Sequence, residues 1–223
     1  MMLGIFTNSS SGGNFSINTN SDNWMYCKVC ECKIPPRAWH CKICNKCCLK
    51  RDHHCYFFAN CIGYYNQRYY IMFLFHTFVA TMYAVVYNVY FLTQFLTGSI
   101  ITIMLKICFP FITLVFNFDS ESFCTILVLI HMVVAFCIGV NTLYQLKLLL
   151  MGKTQHENKC SKNKNIYDKG LRSNLVESLG TRWYLTWILP YIKSPLPGNG
   201  VEWDVSTNIS NSHPRCNEAT AAK

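Results

Sequence analysis

Twelve side chains that can bind a metal ion are crowded into one short segment, and this crowding limits the fold more than any other feature of the sequence. Residues 27–61 hold nine of the chain's 14 cysteines together with three histidines. Such a segment has too few aliphatic side chains to build a hydrophobic core of its own. It must therefore be held together by disulfides or by bound metal, since either can replace a missing core.

Two long uncharged stretches follow this cysteine-rich segment. No Asp, Glu, Lys or Arg occurs within residues 69–105 or within residues 122–146. A helix needs about 20 apolar residues to cross the hydrocarbon core of a bilayer, and both stretches exceed that length. We therefore predict membrane-spanning helices at 69–97 and 123–148.

The distribution of basic residues predicts on which side of the membrane each segment lies. Lysines and arginines are frequent before residue 69 and after residue 146, but only Lys106 lies between the two predicted helices. The positive-inside rule places both basic flanks in the cytosol, which requires an even number of crossings. We therefore predict that 98–122 is a luminal or re-entrant loop. The cytosol is reducing, so bound metal is favoured over disulfides for the cysteine-rich segment.

The rest of the sequence completes the predicted organisation. Residues 1–24 are rich in Asn, Ser and Gly and are predicted to be a disordered lead. Further along, Asn174 and Glu177 resemble an N-cap and its partner three residues on, which predicts a short helix there. The fold class is a mostly α membrane protein with two transmembrane helices and a zinc-stabilised cytosolic cysteine-rich domain of small β-hairpins and loops. The predicted domains are the lead 1–24, the zinc domain 25–68, the helices 69–97 and 123–148 around the loop 98–122, a cytosolic C-terminal region 149–203, and a flexible tail 204–223.

The spacing of the ligands suits two structural zinc sites. Cys27/Cys30 and Cys41/Cys44 each have a two-residue gap, which lets one tight turn offer two thiolates to the same ion. Four further ligands can complete two tetrahedral sites of three cysteines and one histidine, namely His40, Cys47, His54 and Cys61. A plain structural zinc module that binds a partner or nucleic acid would have the same spacing and stays open at this point.

Four of the twelve ligands are left over, namely Cys32, Cys48, His53 and Cys55. Together with Asp52, two of them provide an acid, an imidazole and a free thiol, which are the parts of an activated nucleophile. Asp52 would orient the imidazole of His53, and His53 would accept the proton of the Cys55 thiol. Basic neighbours and a nearby zinc ion would favour the thiolate. Cys32 and Cys48 lack such neighbours and are interpreted as packing residues.

These residues form a long pattern that resembles the DHHC cysteine-rich domain of protein S-acyltransferases, also called palmitoyltransferases. The matching positions are Cys27, Cys30, Pro35, Arg37, His40, Cys41, Cys44, Cys47, Asp52-His53-His54-Cys55, Cys61 and Asn66. Within the family, the chain most resembles the branch called DHHC-type member twenty-four. That further resemblance lies in Tyr167-Asp-Lys-Gly170, Asn174 and Ser194-Pro-Leu-Pro-Gly198. In total the resemblance covers about residues 25–203.

The resemblance implies roles for individual residues. One zinc ion would be bound by Cys27, Cys30, His40 and Cys47, and the other by Cys41, Cys44, His54 and Cys61. Asp52 and His53 would activate Cys55, which would take a long-chain acyl group from acyl-CoA and pass it to a cysteine of a substrate protein by a ping-pong route. The implied cofactors are two structural zinc ions, with palmitoyl-CoA as the donor substrate. Supporting family motifs are matched by Asn66, Thr154, Glu157, Tyr167 and Asn174.

The resemblance also implies a cellular setting. The expected protein is a multi-pass integral membrane protein of endomembranes, either Golgi or ER, with the cysteine-rich domain and the C-terminus in the cytosol. Its partners would be the lipid bilayer, acyl-CoA and cysteine-containing substrate proteins, and no nucleic acid. A nucleic-acid-binding zinc finger is suggested only by the zinc ligands and the net charge of +9. That function fits badly beside two membrane spans.

Three differences from the family keep a second function open. The family usually has two further helices before the cysteine-rich domain, and residues 1–24 cannot supply them, so we expect an N-terminally short form. Tyr56-Phe57 replaces Pro-Trp after the reactive cysteine, and Ile34 stands where a basic residue is frequent. The alternative to an acyltransferase is therefore a catalytically weak or inactive zinc-folded membrane adaptor or truncated isoform.

Overall fold

The structure is a computed structural model that describes residues 2–9, 24–117, 120–160 and 165–204. The chain divides into two units, one formed by residues 1–73 with 144–223 and the other by residues 74–143. The strands are β1 (Met25–Cys27), β2 (Cys32–Ile34), β3 (Trp39–Cys41), β4 (Lys46–Cys48), β5 (His53–Cys55) and β6 (Asn60–Ile62). The helices are α1 (Met2–Phe6), α2 (Gln67–Phe95), α3 (Ile100–Cys108), α4 (Pro110–Asn117), α5 (Ser120–Leu150), α6 (Gln155–Cys160), α7 (Leu171–Leu179) and α8 (Trp183–Thr186).

The cysteine-rich segment folds into three antiparallel hairpins, β1–β2, β3–β4 and β5–β6. In the first two hairpins a Cys-x2-Cys pair lies at the turn, and the residue after the pair has a positive φ, 52° at Glu31 and 51° at Asn45. These left-handed residues reverse the chain tightly enough for both sulfurs of a pair to approach one ion. Across β3–β4, His40 lies directly opposite Cys47. The hairpins therefore deliver metal ligands in pairs.

Two helices are long and apolar enough to cross a membrane, α2 with 29 residues and α5 with 31. At a rise of 1.5 Å per residue each is about 45 Å long, which exceeds the roughly 30 Å hydrocarbon core of a bilayer. Only 22% of the most apolar window of each helix is buried within the protein. Together with the three small hairpins and their Cys/His clusters, these helices confirm the predicted fold class.

The segment predicted as a luminal or re-entrant loop, 98–122, is largely helical. Its helices α3 and α4 have nine and eight residues, and at about 12–14 Å they are far too short to cross a bilayer. Most of their large apolar side chains are exposed, including Phe116 at 82%. Lys106 is buried, and its ammonium lies 2.7 Å from the carboxylate of Glu121. An interfacial location would suit this apolar segment, in which Lys106 is paired with Glu121. That location stays a prediction.

The end of α5 redirects the chain through a glycine. The N–H groups of Gly152 and Lys153 donate back to carbonyls of the last helical turn, and Gly152 has a φ of 64°. This is the Schellman arrangement, which favours glycine because of the positive φ. Helix α6 then starts with a capping box, in which the Thr154 hydroxyl accepts from the Glu157 N–H at 3.2 Å. In return, the Glu157 carboxylate accepts from the Thr154 N–H at 2.8 Å. The Thr-x-x-Glu pattern thus starts a helix directly after a long apolar one.

The short helix predicted after Asn174 is α7, but it begins earlier, at Leu171 after Gly170. The prediction of an N-cap at Asn174 was therefore wrong, because this residue lies inside the first turn. Its side-chain amide donates instead to the carbonyl of Leu150 at 2.8 Å. Carbonyl groups at the end of a helix lack partners within that helix. Asn174 is placed so that it supplies a hydrogen-bond partner to the end of α5. This long-range contact cannot be recognised from a local sequence pattern.

Part of the lead that we predicted to be disordered makes tertiary contacts. Residues 2–9 form α1 and a short non-helical stretch in which Ser9 is fully buried. The rest of the predicted lead, 10–23, lies outside the described residues, and so does the predicted tail beyond residue 204.

Candidate active site and metal centres

The first group of four predicted metal ligands comes together at the ends of two hairpins. The ligand atoms of Cys27, Cys30, His40 and Cys47 all lie within 4.8 Å of one another. Cys30 Sγ is 3.3 Å from His40 Nδ1 and 3.7 Å from Cys47 Sγ. Hairpin β1–β2 contributes the Cys-x2-Cys pair, and β3–β4 contributes the cross-strand pair of His40 and Cys47.

The second group, Cys41, Cys44, His54 and Cys61, has the same arrangement one hairpin further on. Its ligand atoms also lie within 4.8 Å of one another. Cys44 Sγ is 3.2 Å from His54 Nδ1 and 3.6 Å from Cys61 Sγ. Because β3–β4 contributes to both groups, the two clusters are interleaved along the chain.

The geometry and the donor set of both clusters fit zinc. Four ligands placed about 2.0–2.3 Å from a tetrahedral zinc ion lie roughly 3.3–3.8 Å from one another, and the thiol and imidazole distances above are of that size. Three thiolates and one imidazole form a closed shell without an open position, which is typical of structural zinc and not of catalytic zinc. Both clusters could therefore hold an ion that stabilises the fold.

Asp52, His53 and Cys55 lie at the start of the third hairpin. His53 Nδ1 is 2.6 Å from Asp52 Oδ2, within hydrogen-bond distance. The ring of Tyr70, from the first turns of α2, packs edge-on against the His53 ring at 4.9 Å. Cys55 ends strand β5, lies directly opposite Asn60 in β6, and is only 8% exposed.

The electrostatics of this group favour an imidazolium and a thiolate. Burial opposes a charge on His53, but hydrogen bonds with Asp52 and Cys55 outweigh burial and raise the pKa of His53 to about 9. Burial also opposes the thiolate of Cys55, but the interaction with His53 outweighs it and lowers the pKa of the thiol. Asp52 is buried as well, and hydrogen bonds from His53 and the Gln155 backbone hold the pKa of its carboxyl below the usual value. The three groups thus stabilise one another in their charged forms.

Asp52 is fixed by three other elements of the same unit. Its Oδ1 accepts from the backbone N–H of Gln155, the first residue of α6, at 2.7 Å. Its Oδ2 accepts from the side-chain amide of Gln145 in α5 at 3.3 Å. Its own N–H donates to the carbonyl of Ile62 in β6 at 2.8 Å. Sequence reasoning missed the role of both glutamines. Gln155 uses only its backbone N–H in this contact.

A buried arginine links the hairpins to the C-terminal region. Arg37 donates from Nε and Nη2 to the Glu157 carboxylate at 2.6 and 2.9 Å, and from Nη1 to Glu177 at 2.9 Å. Its guanidinium carbon lies 4.3 Å from the ring centre of Tyr167 and 4.6 Å from that of Trp203. Burial alone would lower the pKa of Arg37, but Glu157 and Glu177 raise it. The predicted supporting residues Glu157 and Tyr167 therefore act on the fold of the site through Arg37.

The two predicted supporting asparagines are buried and bind backbone groups. Asn66 Nδ2 donates to the carbonyl of Cys61 at 2.9 Å, and its Oδ1 accepts from the N–H of Gly63 at 2.8 Å. Asn174 Oδ1 accepts from the N–H of Lys169 at 3.1 Å. Asn66 thereby holds a metal-ligand strand against the start of α2, and Asn174 holds the end of α5 in place.

The two cysteines left over by the predicted metal and catalytic groups, Cys32 and Cys48, lie beside the clusters. Cys32 interacts with the thiol of Cys47, and Cys48 interacts with the thiol of Cys61. Cys48 is almost completely buried, as expected of a packing residue. The aromatic pair that follows Cys55 faces outward, since Tyr56 is 80% and Phe57 is 78% exposed.

Comparison with known proteins points to one family. The sequence model of the DHHC palmitoyltransferase family matches residues 20–162. The chain is 32% identical to the "probable palmitoyltransferase ZDHHC24" of Rattus norvegicus over 189 residues, which are 83% of this chain and 66% of that protein. It is 35% identical to the protein of the same name from Danio rerio over 214 residues, 93% of this chain and 71% of that protein. A "probable protein S-acyltransferase 12" of Arabidopsis thaliana is 47% identical over 57 residues, 26% of this chain and 20% of that protein. The chain spans about two thirds of the length of the first two relatives.

Proposed function

Since the chain belongs to the DHHC palmitoyltransferase family, we propose that it is a protein S-acyltransferase that moves a long-chain acyl group, such as palmitoyl, from acyl-CoA to cysteine thiols of other proteins. The observation that carries this proposal is the placement of Asp52, His53 and Cys55: the carboxylate lies 2.6 Å from the imidazole, and the imidazole lowers the pKa of the neighbouring thiol. That arrangement activates a nucleophile and has no use in a purely structural zinc module.

In the first transfer the Cys55 thiolate attacks the carbonyl carbon of the acyl-CoA thioester. A new thioester bond to Cys55 forms, the bond between the acyl carbon and the sulfur of CoA breaks, and the CoA thiolate takes the proton held on His53. Asp52 keeps the His53 ring in place and balances its positive charge. The product is an acyl-enzyme together with free CoA.

In the second transfer a cysteine thiol of a substrate protein loses its proton to His53 and attacks the acyl group on Cys55. The bond to Cys55 breaks, the acyl group is now a thioester of the substrate, and Cys55 and His53 return to their starting states. Both transfers exchange one thioester for another of similar energy, so neither needs an external energy source. His53 acts as the general acid first and as the general base second.

The membrane helices and the metal clusters support this chemistry without taking part in it. The first long helix, α2, begins at Gln67, only 12 residues after Cys55, which would keep the thiol close to the bilayer surface where a lipid tail can enter the membrane. Two bound zinc ions would supply folding free energy to the hairpins that carry the reactive residues. We propose a cytosolic site on an endomembrane of the Golgi or ER, with cysteine-containing proteins as acceptors.

The test is self-acylation of the full chain in membranes with a tagged palmitoyl-CoA. We expect a label that neutral hydroxylamine removes, because a thioester is cleaved by it and an amide is not. Cys55→Ser should abolish the label, whereas the matched control Cys32→Ser should keep it. Both variants should keep about two zinc ions per chain, as two filled structural sites require.

The opposite result would support the alternative function. If the wild-type chain holds two zinc ions and takes up no label, the protein is a zinc-folded membrane adaptor and not an acyltransferase. If Cys55→Ser takes up as much label as the wild type, the acyl group is attached to another residue and Cys55 is not the nucleophile.

A further inference from the structure

Residues 2–9, here called the N-terminal arm, contact the hairpin that carries the reactive cysteine. The side-chain amide of Asn60 lies 3.4 Å from the carbonyl of Ile5 and 3.5 Å from that of Thr7, and it can donate to both. Asn60 is the residue directly opposite Cys55 in the β5–β6 pairing. The arm is therefore bound to the cross-strand partner of the reactive residue.

Ser9 anchors the arm at its C-terminal end. Ser9 is fully buried, and its hydroxyl donates to Asn66 Oδ1 at 3.0 Å and accepts from the N–H of Tyr65 at 3.0 Å. The carbonyl of Ser9 accepts from the N–H of Leu49 at 3.0 Å. A buried hydroxyl in this setting is costly to remove, because its partners then lose hydrogen bonds that water cannot replace.

Asn66 connects the arm to β6, the strand that carries the predicted metal ligand Cys61. Its Oδ1 accepts from both Ser9 and Gly63, and its Nδ2 donates to the carbonyls of Cys61 and Gly4, the latter at 3.4 Å. These four hydrogen bonds use the full capacity of an amide side chain. Two of the four partners belong to the arm, so Asn66 is fully satisfied only when the arm is docked.

A second series of contacts connects the arm to the imidazole of His53 through two aromatic side chains. A Cβ atom at Gly4 would lie only 2.2 Å from a ring carbon of Phe58, so the backbone of the arm rests directly on that ring. Phe58 packs edge-on against Tyr70 with ring centres 5.7 Å apart, and Tyr70 packs edge-on against His53 at 4.9 Å. The arm thus supports the ring that contacts His53 as well as the residue opposite Cys55.

From these contacts we propose that the N-terminal arm positions the reactive centre, with Ser9 as a positioning residue that acts through Asn66. The docked arm holds β6, which pairs with the strand that carries His53 and Cys55, and the start of α2, whose Tyr70 packs against the His53 ring. The inference rests on the proposed function, because it concerns the rate at which Cys55 is acylated. Small displacements of reacting groups can lower a rate by as much as about 100-fold.

The test compares Ser9→Ala, which removes only the hydroxyl, with Ser9→Thr, which restores it, in the full zinc-loaded chain. The measured quantities are the rate of Cys55 self-acylation at saturating tagged palmitoyl-CoA, the palmitoyl-CoA concentration at half-maximal rate, and the zinc content. We expect Ser9→Ala to lower the self-acylation rate at saturating palmitoyl-CoA about tenfold, because the reacting groups would no longer be correctly aligned. The palmitoyl-CoA concentration at half-maximal rate and the zinc content should not change. Ser9→Thr should recover most of that rate. Phe6→Ala is the matched control in the same arm, because Phe6 is 79% exposed and should have no effect.

Two further measurements keep the inference separate from the proposed function. Alkylation of Cys55 by iodoacetamide does not require acyl transfer, and we expect Ser9→Ala to slow it while Ser9→Thr does not. If the wild type is never acylated, the proposed function fails, but the alkylation rates still decide whether the arm acts. Gly4→Val, which displaces the arm at Phe58 and leaves the Ser9 hydroxyl in place, should slow both reactions. Acylation and alkylation of Ser9→Ala and Gly4→Val at wild-type rates would overturn the inference.

Discussion

Asp52 accepts hydrogen bonds from three donors that come from different parts of the chain. They are the ring of His53, the backbone of Gln155 and the side chain of Gln145. A carboxylate has enough lone pairs on its two oxygens to accept all three, whereas an amide offers only one accepting oxygen. The position therefore requires an acid, and an isosteric amide cannot serve.

We predict that Asp52→Asn lowers the rate of Cys55 self-acylation about 100-fold or more, within the range that general acid–base catalysis contributes. The Asn nitrogen is itself a donor and would face either the Nδ1–H of His53 or the N–H of Gln155. Either the ring or the link to α6 that holds residue 52 in place would then lose its hydrogen bond. The measurement is the initial rate with tagged palmitoyl-CoA, at equal zinc content. Asp204→Asn is the control, because Asp204 is exposed. An Asp52→Asn rate within twofold of the wild type would contradict an orienting role for Asp52.

At the scale of elements, the short helices α6 and α7 gain their stability from tertiary contacts. They have six and nine residues, and isolated helices shorter than about 12 residues are marginal in water. Glu157 of α6 and Glu177 of α7 both bind the guanidinium of Arg37. Because α6 also supplies the N–H that binds Asp52, the contact between Arg37 and Glu157 supports the geometry of the reactive group.

We predict that Glu157→Gln destabilises this unit by about 3 kcal/mol, because it leaves a buried guanidinium short of its bidentate partner. The same change removes the carboxylate from the capping box that begins α6. The effect would be measured as a fall in the thermal unfolding midpoint in detergent. Glu202→Gln changes an exposed carboxylate and should leave the midpoint unchanged. Equal midpoints for both variants would show that the buried ion pair contributes nothing to stability.

Lys50 makes the free energy of unfolding of this region depend on pH. It is buried, its Nζ donates to Ser178 Oγ at 2.9 Å, and it lies 3.2 Å from Glu177. Burial disfavours its charge more than Glu177 favours it, so the pKa of Lys50 falls to about 8 from an ordinary value of 10.5. Between those values the unfolded chain binds a proton that the folded chain has released, so stability rises with pH in that window.

We predict that replacing Lys50 with Met removes this rise. Relative to Lys50→Met, the wild-type chain should gain about 2 kcal/mol of unfolding free energy between pH 7.5 and 9.5, because a pKa that is lowered in the folded state favours folding as pH increases. Urea unfolding at both pH values measures the difference. Lys193→Met is the control, since Lys193 lies in a loop and not in this buried cluster. Parallel pH dependence of wild type and Lys50→Met would contradict the shifted pKa.

At the scale of the whole molecule, we expect the hairpins to depend on bound metal and the long helices to depend on lipid. The buried core beside the first cluster is small and includes metal ligands, with Ile34, Ala38, Leu49 and Tyr64 among its few other members. The large helices α2 and α5 expose most of their apolar surface. We therefore expect bound metal to stabilise the hairpins and lipid to stabilise the long helices.

We predict that a strong zinc chelator unfolds the hairpins and leaves the long helices intact. About two zinc ions per chain should be released, proteolysis within residues 24–66 should increase, and helical circular dichroism should change little, because zinc binding is coupled only to the folding of its own domain. Chelator saturated with zinc beforehand is the control. Loss of helical signal together with zinc would contradict independent stabilisation of the two parts.

Elements that depend on neighbouring residues could be predicted from the amino-acid sequence. Uncharged stretches of membrane length predicted α2 and α5, and the Cys-x2-Cys spacing together with the family resemblance predicted the composition of the zinc-stabilised domain. Asp52, His53 and Cys55 are neighbours in the chain, so their proximity was apparent before the structure was known. Each of these features depends on residues that are close in sequence, where periodicity and spacing carry the information.

The distant residues that support this site could not be predicted in the same way and are identified by the folded chain. Nothing local indicates that Arg37 meets Glu177, that Gln145 meets Asp52, or that Ser9 fills the hydrogen-bonding capacity of Asn66. The same long-range pairing explains why the predicted N-cap at Asn174 was wrong, since the end of α5 needed that side chain. Buried polar groups must find partners wherever the chain brings them together, and that requirement is satisfied only once the whole fold has formed.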